Sequence, residues 1–190
     1  MEIIAFRYIV RTEAPHTGAV VELFLKTALE ICEGQQYDME FERRDDVTEA
    51  EYIEMIRLKT AVLLGGALKI GAIIGGASET DADCIYCFGE SLGLAFQLQD
   101  DLLDSYGDER LGKHIGGDIL EGKKTYLMVT AMSRADEAQR AILRSTHADP
   151  SLSDREKIDR IRALYDRLDV PRLTEQQICI RLSLIHISEP

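Results

Sequence analysis

The chain has no tryptophan, only four prolines and four cysteines among its 190 residues, and fewer basic than acidic side chains. Lys and Arg number 22 against 34 Asp and Glu, a net charge of −12. Neither nucleic acid nor an anionic membrane surface is therefore an expected partner. A polyanionic small molecule is not steered in by such a charge, and it needs local lysines or a bound cation. No apolar run of membrane-spanning length is free of charge. The nearest, Thr60 to Ser78, carries Lys69 and several glycines and reads as a buried helix rather than a span. No basic segment followed by an apolar core and a small-residue cleavage site opens the chain, so the cytoplasm is the expected location. Cys84 and Cys87 form a C-x-x-C with no second pair and no nearby His to complete a zinc site. They sit in a helical apolar pattern and read as buried, reduced thiols. What is plentiful is apolar residue, at 45%, enough for the core of one domain.

The periodicity is helical almost throughout. Met1 to Thr12 is short and apolar, and Pro15 to Gly18 breaks the chain. Val20, Leu23, Phe24, Thr27, Ala28 and Ile31 return every three or four residues, predicting a helix from Ala19 to about Arg43. Gly34 inside it costs about 1 kcal/mol relative to Ala and predicts close approach by another helix or a ligand. Asp45-Asp46-Val47 is a loop. Thr48 and Glu51 form a capping box ahead of a helix through Tyr52, Ile56, Lys59, Thr60 and Leu63, followed by a nearly all-apolar run to Gly76. Lys59, where that run begins, either snorkels to solvent or meets an anion in a cavity. Thr80 with Asp83 resembles a second capping box, and a helix follows from about Asp81 to Tyr106. Gly107 to Lys124 is a loop rich in glycine and charge. Its Gly117-x₄-Gly122-Lys123 lacks the Ser or Thr and the preceding strand of a phosphate-binding P-loop. Thr125 caps a helix predicted to continue to about Thr146. Ser153 or Asp154 begins another through Ile158, Ile161, Leu164 and Leu168. Ile178 to Ile187 alternates apolar and polar residues, a strand pattern with no sheet to join. The fold class is all-α.

The helix around Phe96-Gln97-Leu98-Gln99-Asp100-Asp101-Leu102-Leu103-Asp104 carries the chemistry. At 3.6 residues per turn, Gln97, Asp100, Asp101 and Asp104 fall within roughly a 100° arc. Ala95, Leu98, Leu102, Leu103 and Tyr106 point the other way. Acids this close repel, and a cation removes the cost. Carboxylates without Cys or His suit Mg²⁺, Mn²⁺ or Ca²⁺ better than zinc. Taken alone, such a run reads first as a solvated acidic face.

Several ordered elements change that reading. FQLQDDLLD, then the GK and GGDI of the glycine-rich loop, then GKKTYLM, with Gly34-Gln35-x-x-Asp38 and Lys59-Thr60 upstream, resemble the C-terminal half of the trans-isoprenyl diphosphate synthases, the polyprenyl synthetase family. The resemblance implies an isoprenoid synthase-type helical bundle around a central cavity, and a prenyltransferase that joins isopentenyl diphosphate to an allylic diphosphate with Mg²⁺, or Mn²⁺, as cofactor. It implies Asp100 as the main metal ligand, with Asp101 and Asp104 binding metal directly or through water. Gln97 then helps hold the diphosphate site, and Lys59, Lys113 and Lys123 contact the allylic diphosphate. Thr60 and Gln35 line the reacting centre, Asp38 orients its neighbours, and Phe96 packs beside the cavity. The assembly typical of the family is a homodimer.

The family carries a first aspartate-rich motif and a basic segment for isopentenyl diphosphate upstream of the elements matched here, and Met1 to Thr12 supplies neither. The expectation is an atypical segment over 1–18, the C-terminal part of a synthase domain over 19–170, a doubtful tail over 171–190, and no activity from the chain alone. Two other readings stay open: a non-catalytic partner subunit of a prenyl synthase, and a terpene cyclase-like protein.

Overall fold

A computed structural model of the protein describes residues 2–11, 16–107 and 115–186. Its order is α1 (Glu2–Val10), α2 (Thr17–Phe41), α3 (Glu49–Ile56), a π-helical turn (Arg57–Ala61), α4 (Val62–Ile74) and α5 (Glu79–Tyr106). After these come α6 (Gly117–Glu121), α7 (Tyr126–Arg134), α8 (Glu137–Ser145), a 3₁₀ turn (Thr146–Ala148), α9 (Asp154–Arg167) and α10 (Val170–His186). No strand occurs among the described residues, as the sequence predicts. Two compact units divide the chain. One takes the described residues of Met1–Asp38, Glu54–Ala95 and Ile180–Pro190, the other those of Met39–Ile53 and Phe96–Cys179.

The first unit is built on close backbone approach. A Cβ added at Gly34 of α2 would lie 2.8 Å from the backbone of Leu58 and of Lys59, and one at Gly93 of α5 would lie 2.6 Å from Ala61 Cα. Two helices thus close on the π turn from positions where only glycine fits, which is the close approach expected at Gly34. The turn is marked by the Val62 N–H reaching back to the Arg57 carbonyl, the wider bond of a π bulge. Such bulges recur at functional sites, and no residue pattern announced this one. α4 is buried on one side only, since Leu63 and Ile74 are exposed. Lys69 pairs with Asp83 and lies over the Tyr86 ring. No helix among the described residues is long and apolar enough to cross a membrane. Cys84 and Cys87 are free, as expected, but exposed rather than buried. They fall outside the face of α5 that carries Ala82, Gly89 and Gly93 into the unit.

The second unit packs Leu98 and Leu102 of α5 with Leu127, Leu143, Ile161, Tyr165 and Val170, all of them buried. Each fully buried aliphatic side chain contributes about 1.5–3 kcal/mol. Capping chemistry sets the helix limits. The Thr48–Glu51 box forms as predicted, Thr125 accepts from the Met128 N–H at the start of α7, and Ser153 and Glu156 box α9.

Four local expectations are corrected. Ser78, not Thr80, caps α5, its hydroxyl accepting from the Asp81 N–H. The helix expected from Thr125 to Thr146 is two helices, because Asp136 and Gln139 form a capping box that starts α8 afresh. The loop from Gly107 to Lys124 contains α6. The strand pattern at Ile178–Ile187 lies in α10 over its described part. There Pro171 occupies the first turn, where its missing N–H costs nothing. Val170, Thr174 and Ile178 are buried at helical spacing, while Ile180, Leu182 and Leu184, which made the alternation, are exposed.

Candidate functional site

In the second unit, the last turns of α5 present Asp100 and Asp104. The third acid does not join them. Asp101 is only 3% exposed, with Oδ2 accepting from the Tyr52 hydroxyl at 2.5 Å and the Tyr126 N–H at 3.0 Å, and Oδ1 from Gln97 Nε2 at 3.1 Å. The helical arc is correct but the buried stripe is wider than assumed, since Asp101 stands only about 60° round the helix from the fully buried Leu98. Burial pushes the Asp101 carboxyl up to about 6 against the pull of those three hydrogen bonds. On the other flank Leu103 is 39% exposed, not buried, and Phe96 is 61% exposed. Phe96, Asp100 and Leu103 therefore share one face at helical spacing, an acid between two exposed apolar side chains.

Asp104 is tied to α6. Its carboxylate accepts from the Asp118 N–H at 3.0 Å and its carbonyl from the Gly116 N–H at 2.6 Å. Gly116 and Gly122, at φ +81° and +69°, bracket this five-residue helix in left-handed conformations that other residues adopt only under strain. The short helix aims Asp118 at Lys123, whose Nζ donates to Asp118 Oδ1 at 2.9 Å. Lys124 instead reaches Asp45 at 3.0 Å. The Asp104 carboxyl is raised by burial first and by the carboxylates of Asp118 and Asp100, while the Asp118 N–H and Lys123 lower it. Asp118 is a group that the sequence reading passed over. Its signal in the sequence is a carboxylate directly after the Gly116-Gly117 pair and near the lysines that follow Gly122.

In the first unit, the π turn carries Lys59 and Thr60. Lys59 Nζ pairs with Asp38 Oδ2 at 2.5 Å, and α2 brings both Asp38 and the exposed Gln35 from the turns following Gly34. Arg57 in the same turn is held by Glu54 at 2.7 Å and Glu90 at 3.0 Å. Gln97, Asp100, Asp101, Asp104 and Lys123 thus belong to one unit, and Gln35, Lys59 and Thr60 to the other. Lys113 lies outside the described residues.

A hard divalent cation such as Mg²⁺, Mn²⁺ or Ca²⁺ is what this donor chemistry suits. Asp100, Asp104 and Asp118 offer only hard oxygens, and the Asp104 carboxyl, raised mainly by burial and further by the charges of Asp118 and Asp100, is a group that a cation would relieve. Among the described residues no three His, Cys, Asp or Glu side chains converge tightly enough to hold a metal unaided.

The polyprenyl synthetase profile matches residues 1–167. A short chain isoprenyl diphosphate synthase of Methanothermobacter thermautotrophicus is 45% identical over 138 residues, which cover 72% of this chain and 42% of that protein. The crystal structure of geranylgeranyl pyrophosphate synthetase from Pyrococcus horikoshii superposes with a TM-score of 0.90 at 30% identity, covering 97% of this chain and 56% of that one. Geranylgeranyl pyrophosphate synthase from Corynebacterium glutamicum, solved in complex with isoprenyl diphosphate and magnesium, superposes at 0.83 with 26% identity, covering 94% and 52%. The chain spans about two fifths of the length of the curated relatives it matches. With its all-α architecture, its aspartate helix and a profile match over most of its length, the chain belongs to the polyprenyl synthetase family.

Proposed function

We propose that this chain carries diphosphate-binding machinery of a trans-prenyltransferase that condenses isopentenyl diphosphate with an allylic diphosphate. The observation that carries the reading is the Asp104–Asp118–Lys123 chain beside Asp100, with exposed Phe96 and Leu103 flanking that acid. Acids for a cation, a lysine for phosphate and apolar side chains for a hydrocarbon are what a prenyl diphosphate requires. The magnesium seen with isoprenyl diphosphate in the Corynebacterium structure supports the same cofactor here.

Bound magnesium would supply Lewis acidity, drawing charge onto the leaving diphosphate. Asp100 and Asp104 hold it, Asp118 orients Lys123, and Lys123 neutralises phosphate oxygens as negative charge builds on them. Lys59, held by Asp38, does the same for the allylic diphosphate. The Thr60 hydroxyl and the Gln35 amide oxygen offer dipoles to the allylic cation. Asp101 acts through its neighbours. Four free, exposed cysteines fit a reducing compartment, supporting the cytoplasm as location. Leu25 and Leu29, exposed one turn apart on α2, support a homodimer.

The 190 residues contain one aspartate-rich run, so binding without turnover is the expected behaviour of the chain alone. The experiment is an assay with Mg²⁺, isopentenyl diphosphate and dimethylallyl, geranyl or farnesyl diphosphate, beside calorimetry with Mg²⁺ and pyrophosphate. Binding with no prenyl product supports the reading. Robust turnover refutes the expected inactivity, and absence of binding refutes the site.

A further inference from the structure

The residues around Asp101 do more than bury a charge. Tyr52 of α3 is 3% exposed and Tyr126 of α7 is 2% exposed. Their rings pack 6.1 Å apart, and both donate to the same oxygen of Asp101, Tyr52 through its hydroxyl and Tyr126 through its backbone N–H. Glu49, in the turn of α3 before Tyr52, closes the figure. One of its oxygens accepts from the Tyr126 hydroxyl at 3.1 Å and the other from Ser133 at 3.2 Å. Tyr126 directly follows the α7 cap Thr125, and Lys123 stands just ahead of that cap. One carboxylate therefore ties α3, the aspartate helix and the lysine segment at a single buried point.

We propose that Tyr52 and Asp101 are positioning residues: a buried clamp that fixes where α5 presents Asp100 and Asp104 relative to Lys123. Their burial keeps them off the substrate, so they act through the exposed acids and lysine. The inference rests on the reading of those three residues as the magnesium–diphosphate site, but the clamp itself has a ligand-free signature. Buried hydrogen-bond networks of this kind orient the groups that hold a metal, and losing one member typically weakens affinity about tenfold to a hundredfold.

The test is Tyr52→Phe, which keeps the ring and removes the hydroxyl, in the full chain, with Tyr86→Phe as a desolvated tyrosine control outside the clamp. Amide hydrogen exchange of the peptide spanning 123–128 reads the clamp without ligand. Calorimetry with Mg²⁺ and inorganic pyrophosphate reads its consequence. Tyr52→Phe is expected to speed exchange in that peptide and to raise the pyrophosphate Kd about tenfold or more, and Tyr86→Phe to do neither. Unchanged exchange in Tyr52→Phe overturns the clamp. Faster exchange with unchanged affinity overturns the positioning role. If the parent chain binds no pyrophosphate, the site reading fails while exchange still judges the clamp. Should Tyr52→Phe not fold, Glu49→Gln loosens the same figure from its outer edge and faces the same two readouts.

Discussion

Asp104 accepts a hydrogen bond from the backbone N–H of Asp118 at 3.0 Å, and the Asp118 carboxylate accepts one from Lys123 at 2.9 Å. An acid on the aspartate helix is thereby linked to a lysine beyond the glycine-bracketed helix α6. Asp118→Asn removes one of the carboxylates that raise Asp104 and loosens Lys123. Because Lys123 is half exposed, folding stability should change by less than about 1 kcal/mol. Pyrophosphate affinity in Mg²⁺ should fall about tenfold or more, as measured by calorimetry.

Glycine in a helix normally costs stability, and two glycines of the first unit should respond to alanine with opposite signs. A methyl group at Gly34 meets the backbone of Leu58 and Lys59, which cannot yield, whereas one at Gly71 of α4 meets nothing within 4 Å. Gly34→Ala should destabilise by about 1–3 kcal/mol and displace the Lys59 turn. Gly71→Ala should stabilise by about 0.5–1 kcal/mol. Urea denaturation of the two variants gives both values.

The tyrosines give the chain an alkaline limit. Burial, reinforced by Glu90 and Glu30, pushes the Tyr86 phenol up to about 12 from an ordinary 10. Tyr106 is raised by burial and by its hydrogen bond to Asp166, and Tyr165 by burial and by Asp118. The folded protein therefore holds phenolic protons that the unfolded chain releases first. This stabilisation is present in full below pH 10 and is lost as pH climbs through the folded-state values. Melting temperature should drop above pH 10, and Tyr86→Phe should flatten the drop. A tyrosinate absorbance titration with a single step at the ordinary value would contradict this.

Asp136 starts α8 through a reciprocal box with Gln139, with bonds of 2.8 and 2.9 Å. Asp136→Ala should cost about 1 kcal/mol, seen as a lower denaturation midpoint with unchanged slope. An unchanged midpoint would mean that α7 and α8 are held apart by packing alone.

What could be read beforehand was whatever depends on neighbours in sequence. The Thr48, Thr125 and Ser153 caps, the helical period and the close approach at Gly34 are local facts, and each appears in the fold. What could not be read depends on the third dimension. Helical arithmetic gave the arc of Gln97, Asp100, Asp101 and Asp104 but not how far round the helix the core extends, and Asp101 lies on that margin. The π turn at Lys59 and Thr60 has no propensity of its own, being shaped by glycines on α2 and α5 far along the chain. In α10, Ile180, Leu182 and Leu184 alternate without being buried, so a period of two misled while Val170, Thr174 and Ile178 carried the helix into the core.

The proposed function requires this chain to bind diphosphate through a cation held on its aspartate helix. Titration of inorganic pyrophosphate into the 190-residue chain, with Mg²⁺ and then with a chelator, in the parent and in Asp100→Ala, tests it most directly. Binding is expected in Mg²⁺, disappearing in chelator and weakening at least tenfold in Asp100→Ala. Binding of equal strength in chelator, or undiminished in Asp100→Ala, would contradict it.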